Sequence, residues 1–231
     1  MRKSFLPFLL ALPLLTQCLF DNRQAGTSTS VTNPVGLITG FAILKDGTPA
    51  AGARVRLRLP AVEAPGGTPR AALFSDTVAD STGKFTVPLV YMKDAYLEIR
   101  EAPGQRPGRP ADSLEIQLRR WPNGLPHDGK MGTLRLAPPG EISGRLETPA
   151  PEGPYHRWVG VRGSDIFVEA QGKDPFVLKG VGEGRRELMV VAVPDSAALP
   201  GRAPVVADSV VEAVVQSGRN SDFGAIFYTN D

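Results

Sequence analysis

Cysteine is nearly missing from this sequence: Cys18 is the only one in 231 residues. No disulfide can close within the chain, so whatever folds must be held by burial. Histidine is almost as scarce, with His127 and His156 alone. A zinc centre needs three or four His, Cys, Asp or Glu ligands at compatible spacing. A serine hydrolase needs a nucleophile, a base and a group that orients the base. His127 stands in the turn-like Pro126-His127-Asp128-Gly129, and His156 between Tyr155 and Arg157. Both read as solvated histidines. No Gly-x-Ser-x-Gly elbow occurs, and Gly83-Lys84 is no phosphate loop, because Phe85 and Val78 replace its hydroxyl residue and first glycine. The 24 acidic residues offer many pairs for glycoside chemistry and favour none. Asp76 and Asp80 lack an Asp-x-Asp-x-Asp run and read as turn and capping groups. No catalytic residue, metal or cofactor is expected.

A long apolar run is also missing. Residues 5–15 are apolar apart from Pro7 and Pro13, too few for a bilayer-spanning helix of about 20 residues. Behind Arg2 and Lys3 they read as the apolar region of a signal peptide. The run ends in Leu15-Thr16-Gln17-Cys18. This resembles the lipobox of bacterial lipoproteins, with Gln17 standing where Gly, Ala or Ser is usual. The resemblance implies a diacylglyceryl group on Cys18, cleavage after residue 17 and a membrane partner reached through the lipid. The alternative is a secreted protein with a stray thiol. Leu19 follows Cys18, where inner-membrane lipoproteins often carry Asp, so the resemblance points to the outer membrane of a bacterial cell envelope.

No charge of one sign dominates. Without Arg2 and Lys3, 24 basic residues face 24 acidic ones. That balance argues against a nucleic-acid partner. Arg119-Arg120 and Arg185-Arg186 read as solvated strand ends. Residues 19–34 are small, polar and aperiodic, a tether with an r.m.s. span of roughly 20–25 Å.

Beyond the tether the chain repeats itself. Gly36-Leu37-Ile38-Thr39-Gly40 returns as Gly140-Glu141-Ile142-Ser143-Gly144, and Ala111-Asp112-Ser113-Leu114 as Ala207-Asp208-Ser209-Val210. Met131-Gly132-Thr133-Leu134 returns as Phe223-Gly224-Ala225-Ile226, and Gly83-Lys84-Phe85 more loosely around Gly172-Lys173 and Phe176. The order is kept. This predicts two modules, 35–137 and 138–228, with the seam at Pro138-Pro139.

Both modules are written in strands. Residues 54–59, 84–87, 96–100 and 113–118 alternate apolar and polar, as half-buried strands do. Residues 188–193 form an apolar run closed by Pro194. With 25 Gly and 22 Pro, long helices are excluded. The expected class is all-β, two tandem sandwiches.

Gly40, the turn Asp46-Gly47-Thr48-Pro49, the strand Gly52-Ala53-Arg54-Val55-Arg56-Leu57 and the turn Asp80-Ser81-Thr82-Gly83-Lys84-Phe85 together resemble the carboxypeptidase regulatory-like domain. That family is a transthyretin-like (prealbumin-like) β-sandwich, with immunoglobulin-like architecture. The match covers residues 36–100. The second module lacks the Asp-Gly-x-Pro turn. In the family this domain is accessory, so the resemblance implies a scaffold and no reaction.

The expected function is a non-catalytic binding or spacer lipoprotein with a protein or glycan partner. One alternative is a carbohydrate-binding accessory to polysaccharide use. Another is a hydrolase with a carboxylate site at the junction of the modules. Trp121, in a loop by composition, is the first candidate to stack on a sugar ring, followed by Tyr155 and Trp158.

Overall fold

The computed structural model describes residues 36–89, 94–110, 113–122, 125–126, 128–147, 153–170, 174–195, 204–206 and 211–226. The signal sequence, Cys18, the tether and His127 lie outside them. So do most of the 111–114 and 207–210 repeat pair and Gly172-Lys173. Among the described residues the structure is strand, turn and one short 3-10 turn at Pro65–Gly67.

Among the described residues the first module has seven strands: β1 (Gly36–Ile43), β2 (Arg54–Glu63), β3 (Arg70–Val78), β4 (Lys84–Leu89), β5 (Ala95–Arg100), β6 (Ile116–Trp121) and β7 (Lys130–Arg135). They form two sheets, ordered β4-β1-β7 and β3-β2-β5-β6. The second module has β8 (Gly140–Leu146), β9 (Tyr155–Val161), β10 (Phe167–Glu169), β11 (Pro175–Val181), β12 (Gly184–Pro194), β13 (Val205–Val206), β14 (Val211–Val215) and β15 (Asn220–Ile226). Its sheets run β11-β8-β15 and β10-β9-β12-β13, with β14 also pairing β12. The chain is therefore all-β, in two sandwiches.

The two three-stranded sheets have one topology. β4 pairs antiparallel and β7 parallel with β1, as β11 and β15 do with β8. Gly40 faces Phe85 across the ladder, and Gly144 faces Phe176. Each ring lies over its glycine: a Cβ on Gly40 would sit 2.5 Å from Phe85 Cζ, and one on Gly144 2.9 Å from Phe176 Cζ. A bare backbone is thus needed for the ring to enter the core. Leu134 and Ile226 fall on the matching strands β7 and β15.

Both turns expected from the aspartates are present. Asp46 accepts the Thr48 amide at 2.9 Å and Asp80 the Thr82 amide at 2.8 Å. Gly83 takes a φ of +78°, and a Cβ there would lie 2.2 Å from the Ala42 carbonyl oxygen, so only glycine fits. Asp76 is neither a turn nor a capping residue. It lies on β3 and pairs with Arg54.

The alternation at 113–118 sets the sixth strand too early. β6 begins at Ile116 and reaches Trp121, because the Glu115 amide donates to the Glu101 carboxylate at 2.9 Å. Glu101 and Glu115 are buried, and Arg106 lies 2.7 Å from one and 2.8 Å from the other. Burial pushes the Glu101 carboxyl up, but the Arg106 and Glu115 hydrogen bonds outweigh it and leave it below the usual range. This latch closes the loop between β5 and β6.

Each module has its own core, around Leu57, Phe85, Leu97 and Ile99 in the first and Ile142, Phe176, Leu178 and Leu188 in the second. Leu118 of β6 belongs to the second core. The modules are therefore joined by apolar packing as well as by chain.

Candidate functional site

The junction is built on the outer face of the sheet β3-β2-β5-β6. Strand alternation puts Val55, Leu57, Leu97 and Ile99 into the first core, which leaves Arg56, Arg58, Tyr96, Glu98 and Arg100 on the opposite face. The turn between β9 and β10 lies on that face. Ser164 accepts the Ala71 amide at 2.9 Å through its carbonyl oxygen. Asp165 lies 2.6 Å from Arg56 and 2.9 Å from Arg58. Gly163, at φ +75°, presses on the Tyr96 ring, where a Cβ would come within 2.1 Å.

Glu98 is buried in this contact, 3.4 Å from Arg58 and 3.5 Å from Arg56. Burial pushes its carboxyl up, and Asp165 pushes it further; the arginines offset this only in part. Its Oε2 and Arg58 Nε lack well-aligned hydrogen bonds, which separates this site from the latched Glu101.

Beside the contact opens a cleft of about 460 Å³. Strands β5 and β6 supply Tyr96, Leu118 and Arg120; the β11–β12 turn and β12 supply Glu183, Arg185, Arg186 and Glu187. Five arginines and three glutamates line it. Both arginine doublets taken from the sequence as solvated strand ends therefore meet at one place. Nothing in a linear reading joins them, since β6 and β12 belong to different modules.

The charges are unevenly matched. Glu187 is held by Arg120, by Arg162 at 3.5 Å and by the Tyr96 hydroxyl at 3.4 Å. Burial next to Glu187 pushes the Tyr96 phenol up to about 12. Arg120 also binds Asp94 at 3.0 Å. Arg185 and Glu212 stand 4.0 Å apart and largely exposed. Arg186 differs from these. Its donors go to the backbone carbonyl oxygens of Gly182, Glu183 and Arg185. Among the described residues no carboxylate forms an ion pair with it. Burial lowers its guanidinium to about 10, with Glu183 opposing the shift. Arg162 Nε is a further buried donor without a partner.

The aromatic candidates lie elsewhere. Trp121 ends β6, packs on the first core and carries the Arg119 guanidinium 4.9 Å above its ring. Tyr155 opens β9 and Trp158 lies within it. Trp158 packs near Met189, Val191 and Phe167. With His156 it borders a shallow hollow of about 290 Å³. His156 Nδ1 lies 2.8 Å from Glu169. The structure thus gathers Tyr155 and Trp158 on one strand and keeps Trp121 in the other module. Among the described residues no three His, Cys, Asp or Glu side chains group as a metal would require.

No protein-family model and no curated protein matches the sequence. Solved structures give loose superpositions. The Bacillus anthracis TIE protein is 7% identical at a TM-score of 0.28, over 84% of this chain and 34% of its own. The minor pilin GBS52 of Streptococcus agalactiae is 12% identical at 0.30, over 83% of this chain and 95% of its own. A DUF3823 family protein of Bacteroides uniformis is 12% identical at 0.26, over 78% and 99%. The chain spans about a third of the first of these proteins, and likenesses this loose identify no shared function.

Proposed function

We propose that this protein is a non-catalytic binding and spacer module of the bacterial cell envelope, lipid-anchored through Cys18 and held on the outer membrane. The observation that supports the non-catalytic reading is the pairing of Glu187, the most enclosed carboxylate of the junction cleft. A carboxylate that works as acid or nucleophile must be free to reach substrate. Glu187, the most enclosed of the three, is held by two arginines and a tyrosine hydroxyl. Glu212 stands on the exposed rim opposite Arg185. Arginines outnumber glutamates there, which suits holding an anion better than hydrolysing a glycoside.

The lipid supports the spacer role. A tether of residues 19–34 would hold the first module clear of the headgroups. Packing at Leu118 and Gly163 would keep the second module fixed on the first. Cells fed labelled fatty acid should incorporate label into the wild-type chain and none into C18A. Label retained by C18A would overturn the anchor. Turnover of a peptide or polysaccharide, lost on changing one carboxylate in a folded protein, would overturn the non-catalytic reading.

A further inference from the structure

The geometry points to a specific occupant of the junction cleft: a saccharide that carries an acidic group, with the acid on Arg185 and Arg186 and the ring hydroxyls on Glu183 and Glu212. This rests on the binding role proposed above and gives it a ligand class.

The arginine side comes first. A guanidinium withdrawn from water without a counter-ion is costly. Arg186 is half-buried and bonds to backbone carbonyls alone. Those three bonds leave two of its five N–H groups for another acceptor. They also fix the planar fork in place, so a carboxylate or sulfate would meet a donor set already ordered. Arg162, with its unpartnered Nε, lines the same cleft. The exposed Arg185 also lines the cleft.

The glutamates decide what else the ligand must be. Ionised carboxylates only accept hydrogen bonds. A sulfate ion, which carries no hydrogen at neutral pH, would have nothing to give Glu183 and Glu212 and would be repelled by them. A cationic amine would satisfy the glutamates and be repelled by the arginines. Neutral hydroxyl groups attached to an anion satisfy both. A cleft of about 460 Å³ lies within the range of small-ligand sites and takes one or two sugar rings.

The test is calorimetric titration of the full chain in detergent. The probes are oligogalacturonate, its methyl ester of equal length, a sulfated oligosaccharide, inorganic phosphate and an acidic peptide of matched charge. Binding is expected for the oligogalacturonate or the sulfated sugar, and whichever binds names the acid. The methyl ester should bind about tenfold or more weakly. R185A, at an exposed position, should weaken binding by about tenfold without changing the circular dichroism spectrum. R186M should abolish binding if it folds, and R185A keeps the test decisive if it does not. Equal affinity for the neutral ester would overturn the inference. So would phosphate or the peptide binding as tightly as the sugar, or no acidic sugar binding at all. With C18A still unlabelled and no turnover seen, such a failure removes the ligand class and leaves the anchored module standing.

Discussion

The two modules share the wiring of their small sheets and differ in the turns and latches around them, among the described residues. In the first, Gly40 lies under Phe85; in the second, Gly144 lies under Phe176. Gly132 and Gly224, at φ +69° and +64°, sit at matching places on β7 and β15. The first module adds two aspartate turns and the Glu101–Arg106 latch. The second has the long strand β12, whose apolar stretch is buried from Leu188 to Pro194. The shared positions are those where a backbone must approach a ring or bulge out of a ladder. Turns are set locally, and a duplicated chain can change them without moving the core.

Three measurements test how alike the two modules are. The largest effect is expected from F85A and F176A. Each should cost about 3–5 kcal/mol in urea unfolding, because each empties a ring-sized space in a core. A cost below about 1 kcal/mol for either would mean that the two rings do not do the same job.

A smaller effect is expected at the contact between the modules. G163A places a side chain where φ is +75° and where the Tyr96 ring already stands. A loss of about 2 kcal/mol is expected, with faster proteolysis near residue 163. An unchanged unfolding midpoint would show that the modules do not depend on this contact.

The smallest effect separates the modules by pH. Side-chain and backbone hydrogen bonds from Thr48 and Thr82 hold Asp46 and Asp80 below the ordinary carboxylate range. A lowered folded-state pKa gives stability that is present above the unfolded value and lost as pH falls through the folded one. D46N and D80N should therefore flatten the acid side of the stability profile. They should lower stability at neutral pH, where the charged acceptors contribute, and leave it nearly unchanged at low pH, where Asp46 and Asp80 are protonated. A profile identical to wild type would remove the turns from the account of the first module.

Much of the fold was legible in the sequence because its determinants are local. Alternation at 54–59 and 96–100 marked β2 and β5. The turns at Asp46 and Asp80 marked their own hydrogen bonds. The recurrence of Gly40 and Gly144 marked equivalent strands. Trp121 was misplaced in a loop because Pro122-Asn123-Gly124 follows it, while its strand is set by pairing with Ala95. The candidate site was hidden for a different reason. Arg120 and Glu187 meet only once two modules have folded and packed, and no spacing in the chain encodes that meeting. Arg186 was missed because its partners are carbonyl groups, which every residue carries.

The parallel pairing of β1 with β7, and of β8 with β15, has a mechanical consequence. In each module the first and last strands run the same way along one ladder. A pull on the chain at both ends drags these strands lengthwise past each other. The hydrogen bonds between them then bear load together and cannot be peeled one at a time. Force applied between the two ends of a module would therefore meet it in its strongest direction.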